Sequence, residues 1–307
     1  MKKSKLLRII LHPVAALVSM LDSARLGRAF SDAVVLKCRY WMKFGEKLNL
    51  EDPKNFNQKL HWIKLFDRKP LYTTLTDKYA VRAYIAEKAG GQYLIPLLWV
   101  GERFDDIDFE SLPDQFVIKC THDCGSVVIC KDKHNFDRGA ARRKITKALG
   151  KNWYFNHSGR QWQYKDIPPK IIIEQYLAPA GGGDPSDFKV FCFNGEPKCI
   201  GVFSDRFKDG LKVTLFDMAW QPLPISTDGR HATLPPKPDN FEEMVAVSKA
   251  LSKDAHFVRV DLYAIDHRIY VGELTLTPAN GCVRFDSPEW NTKFGDWLTL
   301  PKNHYEH

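Results

Sequence analysis

A chain of 307 residues, 44% hydrophobic and 27% charged, has the composition of a folded protein with one large or two modest domains, which excludes wholesale disorder. Its formal charge of +8 suggests nucleic acid only until it is located. Residues 1–50 hold ten Lys or Arg against three acids, a surplus of seven, so the rest of the chain carries about one net charge and offers no basic nucleic-acid face.

The first element is a basic helical segment, residues 1–54, opening with Lys2, Lys3, Lys5 and Arg8. An apolar stretch follows from Ile9 to Leu21, interrupted by His12 and Pro13, too short and broken to cross a bilayer of ~30 Å. Small residues near Ala24 resemble a signal-peptide end, but the broken run argues against one. So do seven cysteines, an odd number without disulfide-like spacing, and the chain reads as cytoplasmic. Two readings of the segment stay open. It is a helix packed on the main domain, or an amphipathic helix touching anionic lipid at the inner membrane face through residues 1–30.

Residues 54–90 read as helical, with Phe56, Leu60, Ile63 and Leu65 in loosely helical spacing. A cleaner helix is expected over 78–89, capped by Thr76 or Asp77 and ended by Gly90-Gly91. The stretch 105–113 is acidic and turn-like. Its Asp106-Ile107-Asp108 resembles the Asp-x-Asp motif of metal-dependent glycosyltransferases, but three-residue motifs recur by chance and a solvated turn is the better reading. Two strand runs, 115–120 and 126–131, flank a polar loop, Thr121-His122-Asp123-Cys124-Gly125. A basic helix is expected over 137–150 and a long loop over 151–169. Three isoleucines at 171–173 begin a buried strand that runs into Glu174-Gln175-Tyr176-Leu177, followed by a loop of three glycines at 181–183. Strands 188–193 and 198–203 flank Asn194-Gly195, a hairpin signal. A helix over 241–252 and a strand pair, 257–264 and 269–276, complete the chain. Helices and antiparallel strands mix without a βαβ rhythm, so the fold class is α+β.

The last strand pair carries the sharpest chemistry. A three-residue loop, Asp266-His267-Arg268, sets Val258 against Leu276 and Val260 against Leu274, keeping apolar residues on one face. The same register sets Asp261 opposite Glu273 and Arg259 opposite Thr275. Directly opposed Cβ atoms are ~5 Å apart, where two carboxylates repel and call for a cation. Mg²⁺ suits such hard oxygen ligands, being held by one or two carboxylates plus nucleotide phosphates. The competing reading is that Arg259 neutralises the pair as an ordinary cross-strand ion network.

Lys119 leads into the tight loop closed by Gly125-Ser126, where a lysine and loop N–H groups can hold phosphate oxygens. Glu174, an acid abutting a buried run, needs a donor partner. Cys120, His122, Cys124 and Cys130 invite a zinc reading but lack a second ligand pair at finger spacing.

Taken in order, these pieces resemble the ATP-grasp superfamily, specifically the teichuronopeptide-synthesis (TupA-like) branch of surface-polysaccharide enzymes, over residues 55–290. The carrying stretches are Thr76-Asp77-Lys78, Phe116-Val117-Ile118-Lys119, Ile173-Glu174-Gln175-Tyr176, Asp187-Phe188-Lys189-Val190-Phe191 with Asn194-Gly195, Ser204-Asp205-Arg206, and Arg259-Val260-Asp261 with Gly272-Glu273-Leu274-Thr275. The resemblance implies a catalytic domain over 55–307: an N-part at 55–112, a first nucleotide subdomain at 113–173 and a metal subdomain at 174–295, two subdomains gripping ATP. It implies that Lys78 and Lys119 hold ATP phosphates under the Gly125-Ser126 loop, near Glu174, and that backbone groups of Gln175 and Leu177, around Tyr176, read adenine. Asp261 and Glu273 would bind Mg²⁺, and Arg259 would stabilise the intermediate. Thr275, the third candidate metal ligand and a weaker neutral one, stands where most of the superfamily has Asn, and Asp184 or Asp187 is the candidate ribose contact. Lys189 and Arg206 are candidate substrate contacts, or else strand-surface charges.

The implied activity is ATP-dependent carboxylate–amine ligation through an acyl phosphate. Its expected partners are a sugar acid, free or in a lipid-linked or polysaccharide acceptor, and an amine. A nucleotide-sugar glycosyltransferase and a non-catalytic scaffold are the rival readings.

Overall fold

A computed structural model describes residues 12–23, 30–156, 159–179, 186–204, 211–225, 231 and 233–301. Lys2, Lys3, Lys5, Arg8, the glycine loop at 181–183, Asp184 and Arg206 lie outside the described residues. Two antiparallel sheets organise the rest, with helices outside them, which is an α+β fold.

The first sheet has the order β1-β4-β2-β3, with β1 Leu97–Gly101, β2 Phe116–Cys120, β3 Val127–Cys130 and β4 Ile171–Gln175. Its inner face packs on Ala141 and Ile145 of a helix at Arg138–Leu149, around Phe104, Phe109, Phe116 and Ile173. The sequence does not announce β1: Leu97, Leu98, Trp99 and Val100 show no alternation, and the strand's partner, β4, lies 70 or more residues away.

The second sheet has the order β7-β6-β5-β8-β9, with β5 Ser186–Phe193, β6 Glu196–Ser204, β7 Lys212–Asp217, β8 Phe257–Ile265 and β9 Arg268–Thr275. Asn194 and Gly195 both take positive φ, 49° and 82°, the backbone of the tight turn expected between β5 and β6. One face of this sheet buries Val190, Ile200, Val260, Leu262 and Leu274. It packs against Met244, Val247 and Leu251 of the helix Phe241–Ser252, which has the predicted bounds. On the other face, Phe193 and Phe257 meet Phe56 of the helix Phe56–Phe66 and Phe294 of the helix Pro288–Trp297, with ring centroids 5.0–5.7 Å apart.

Two local expectations are corrected. The helix expected from Lys78 begins at Val81, because the Asp77 carboxylate accepts from the N–H groups of Tyr79 and Ala80 and holds residues 78–80 as a turn. The β8–β9 loop has two residues, Asp266 and His267, at φ 48° and 63°, with Ile265 opposite Arg268. The missing residue reappears as a bulge at Gly272, between the Asp261–Glu273 and Leu262–Val271 pairs.

The N-terminal segment supplies α1 (Pro13–Ser23) and α2 (Asp32–Phe44), which pack on each other. Ser31 caps α2 and Gly45, at φ 77°, ends it. Both helices are tied to the body by Arg160, whose guanidinium lies 2.9 Å from Asp22 and 3.2 Å from Asp32, while Arg68 lies 2.6 Å from Asp32. Among the described residues no helix is long and apolar enough to cross a membrane.

Candidate active site

The bulge at Gly272 leaves the predicted register intact where it matters. Asp261 stands opposite Glu273, Arg259 opposite Thr275, and Lys189 of β5 opposite Asp261, so one row of three strands carries a lysine and two acids. Arg259 clamps Asp261 with two bonds, Nε to Oδ1 at 2.6 Å and Nη2 to Oδ2 at 2.7 Å. The same Nη2 reaches Glu273 Oε1 at 3.4 Å and Thr275 Oγ1 at 3.1 Å, and the Thr275 hydroxyl donates to Glu273 at 2.9 Å. Lys189 Nζ donates to Asp261 at 2.7 Å and to Asp187 at 2.8 Å.

This geometry corrects the strict form of the hairpin argument. The opposed carboxylates share one face, as required, but Arg259 and Lys189 already supply counter-charge, so a divalent ion is not a condition of their coexistence. Asp187, Asp261 and Glu273 against Arg259 and Lys189 leave one net negative charge, although the three acids do not converge on one point as a ready-made ion site. Burial alone would raise the Asp261 carboxyl, yet Arg259 and then Lys189 hold it below the usual carboxylate range. Burial would lower Arg259, but Asp261, Glu273 and Asp187 raise it. Lys189 is 6% exposed and lies 5.0 Å over the Phe203 ring, so it is no strand-surface charge. Arg206 lies outside the described residues.

The first sheet supplies a second group of charges. Glu174 is buried and finds two donors, Lys119 Nζ at 2.8 Å and Arg82 Nη1 at 3.2 Å. Lys78 donates from Nζ to the Asp123 carbonyl and from its N–H to the Thr121 carbonyl, so it fastens the β2–β3 loop from below. Ser126 is part of that fastening: its hydroxyl donates to Asp123 at 2.5 Å and accepts from the Cys120 N–H at 3.1 Å. Gly125 is exposed, and a Cβ there would meet open space. At the end of β4, the Gln175 N–H donates to the Pro96 carbonyl. Tyr176 lies 5.5 Å beneath Lys131.

Acids of both sheets act on common side chains. Burial pushes the Tyr263 phenol up, and the carboxylates of Asp187, Glu273, Asp261 and Glu174 push it further, so acids of both sheets converge on one β8 side chain. Burial likewise raises Tyr164, with Cys124 and Glu273 adding to it; Tyr164 and Cys124 Sγ share a hydrogen bond of 2.7 Å. Sequence reasoning missed Arg82, Tyr164, Gln161 and Gln163. The two glutamines donate to Thr277 Oγ1 at 2.7 and 2.8 Å, just beyond β9. An arginine on a helix and an aromatic stretch without a period carry no local signal of these roles.

The other cysteine and acid motifs go elsewhere. His122 Nε2 contacts the carbonyls of Ala148 and Lys151, and among the described residues no group of three or more metal-binding side chains is gathered. Next to the Asp-x-Asp stretch, Arg142 holds Asp105 with two bonds of 2.6 and 2.8 Å, while Asp108 closes a turn onto the Glu110 N–H.

The family model described as TupA-like ATPgrasp matches residues 58–299. No curated protein matches the chain. Among solved structures, the L-amino acid ligase from Bacillus licheniformis is 15% identical with a TM-score of 0.45, covering 73% of this chain and 49% of its own. The D-alanine–D-alanine ligase from Bacillus anthracis complexed with ATP is 16% identical with a TM-score of 0.39, covering 67% and 54%. D-cycloserine synthetase DcsG is 14% identical with a TM-score of 0.42, covering 74% and 70%. The chain thus spans about half the length of the first two.

Proposed function

The chain belongs to the TupA-like ATP-grasp family, and on that premise we propose that it is an ATP- and magnesium-dependent ligase joining a carboxylate to an amine. The observation that carries the reading is the Asp261–Glu273–Arg259–Thr275 cluster on β8 and β9, with the Lys119–Glu174–Arg82 group on the first sheet as the second charged centre. Its hard oxygens and residual negative charge fit Mg²⁺. Asp261 and Glu273 would hold the ion and Thr275 would orient Glu273. When bound, the ion neutralises charge on the phosphoryl group in transfer.

The chain's own residues account for the remaining work. The exposed Gly125 lets the β2–β3 loop approach phosphate oxygens, with Lys78 fixing the loop's base and Lys119 adding positive charge. The Gln175 carbonyl and Leu177 N–H would meet the adenine edge, and Asp187 is the candidate ribose contact. The substrate carboxylate takes the γ-phosphoryl group and ADP leaves. The amine then attacks the acyl carbon, phosphate departs with the bonding pair, and the amine's proton goes to solvent or a nearby base. Arg259, fixed by two bonds to Asp261, presents a prepaid cation to the oxyanion that forms on that carbon. Branch membership supports a finer reading, in which the acid is a uronic acid of a surface polysaccharide and the amine is an amino acid.

The test incubates purified protein with Mg²⁺ and ATP, or with a UDP-sugar, plus pooled sugar acids and amino acids. ADP and phosphate appearing only when acid and amine are both present is the expected result. UDP release without ATP consumption would overturn it in favour of glycosyl transfer.

A further inference from the structure

Helix α1 is turned the wrong way round for a helix that merely packs on a protein. Its inward face carries Ala16, Val18 and Asp22, all buried, with Asp22 held by Arg160. Its outward face carries Val14 at 71% exposure, Leu17 at 55% and Met20 at 67%, and these are the three most exposed large hydrophobic side chains among the described residues. At 100° per residue, positions 14, 17 and 20 span a stripe about 120° wide. Pro13 extends the stripe and no charged residue interrupts it. Single exposed apolar residues are ordinary; a continuous stripe of them marks a contact surface.

Charge identifies what the stripe meets. Lys2, Lys3, Lys5 and Arg8 precede the helix in sequence and Arg25 and Arg28 follow it, while Asp22 and Asp32 are spent on Arg160 and Arg68. A second copy of the chain would bring two such basic segments together. An 11-residue helix, about 16 Å long, also buries far less than the roughly 1,200 Å² of a stable interface. An apolar stripe flanked by excess lysine and arginine fits an anionic lipid surface, where the basic residues are drawn to the headgroups and the stripe enters the acyl boundary. We propose that α1 is a monotopic membrane-docking helix that lays Val14, Leu17 and Met20 into an anionic bilayer surface while Asp22 holds it to the body. This inference does not depend on the ligase reading.

The test sediments the full chain with vesicles of phosphatidylcholine alone or mixed with phosphatidylglycerol. Binding is expected only to the mixed vesicles, weakening as salt is raised. Leu17→Ser with Met20→Ser should weaken it at least about tenfold, given the apolar area withdrawn from lipid, and serine at positions 2, 3, 5 and 8 should remove the phosphatidylglycerol dependence. Unchanged circular dichroism confirms that the variants fold. Three results would each overturn the proposal: no binding to mixed vesicles; equal binding by the Leu17/Met20 variant; or a lipid-free dimer that this variant abolishes, which would make the stripe an interface between copies.

Discussion

At Asp261 and Glu273 the same side-chain chemistry meets two different environments. Asp261 is 5% exposed and receives three charged bonds from Arg259 and Lys189, whereas the Glu273 side chain is 42% exposed. Asp261→Asn takes the shared carboxylate from two buried cations, leaving Lys189 only Asp187 and Arg259 only Glu273 as acidic partners, so it should cost up to about 3–5 kcal/mol in denaturant unfolding and abolish ATP turnover. Glu273→Gln should cost less than about 1 kcal/mol yet remove magnesium-dependent turnover just as fully. A Glu273→Gln protein that retains turnover would end the metal assignment. Lys64 makes a third case. It is 2% exposed, its ammonium bonds only to the carbonyl and side-chain oxygen of Asn280 among the described contacts, and burial pulls its pKa down to about 7, with Arg39 assisting and Cys282 opposing. Between pH 7 and the ordinary lysine value the unfolded chain binds a proton that the native state has released, so native stability gained through this group rises with pH across that window and is flat below it. Lys64→Met removes the dependence. Its stability relative to the parent should fall between about pH 7 and pH 10 by an amount on the order of a few kcal/mol, and a difference that instead grows with pH would refute the burial of the charge.

The β8–β9 hairpin shows how an element can be legible at one end and not at the other. The apolar alternation of Val258, Val260 and Leu274 fixes the Asp261–Glu273 pairing, because a slip would bury charge. The turn end has no such constraint, so the two-residue turn and compensating bulge were not readable. The bulge falls at Gly272, where a Cβ would lie 2.8 Å from the Tyr263 ring and 3.4 Å from the Asp261 carbonyl. Gly272→Ala should therefore destabilise by about 1–2 kcal/mol and impair turnover, by pushing β9 away from Asp261. His267, an L-residue at φ 63° in an exposed turn, is the opposite case. His267→Gly should stabilise by about 0.5 kcal/mol with turnover unchanged. If both variants affected turnover alike, the bulge would not be what sets the acid pair. Of the two overlooked strands, β1 has no polar–apolar alternation at Leu97, Leu98, Trp99 and Val100, and its ladder partner β4 is remote in sequence.

Across the whole molecule, the N-terminal helices and the acid cluster are joined by one short chain of contacts. Asp22 of α1 and Asp32 of α2 meet at Arg160, which is 4% exposed, stands at φ 46° and lies 5.5 Å over the Tyr154 ring. The next residue, Gln161, donates to Thr277, two residues beyond Thr275 of the acid cluster, and Gln163 donates to the same hydroxyl. None of this is visible in the sequence, where the aromatic, aperiodic stretch around it reads as a loop; the order comes from partners more than 100 residues away. Removing Arg160 leaves two largely buried acids short of a donor, at a cost of about 3–5 kcal/mol if the whole pair network is lost. Since that cost is borne at the joint and not in either sheet core, Arg160→Met should first release α1 and α2. Limited proteolysis would then clip the first 50 residues at a temperature where the parent resists. Because Gln161 is covalently next to the lost anchor, turnover should fall while magnesium–ATP still raises the melting temperature of the remaining body. If proteolysis freed the N-terminal helices with turnover intact, Thr277 would be held independently of them, and the helices would have no part in the chemistry.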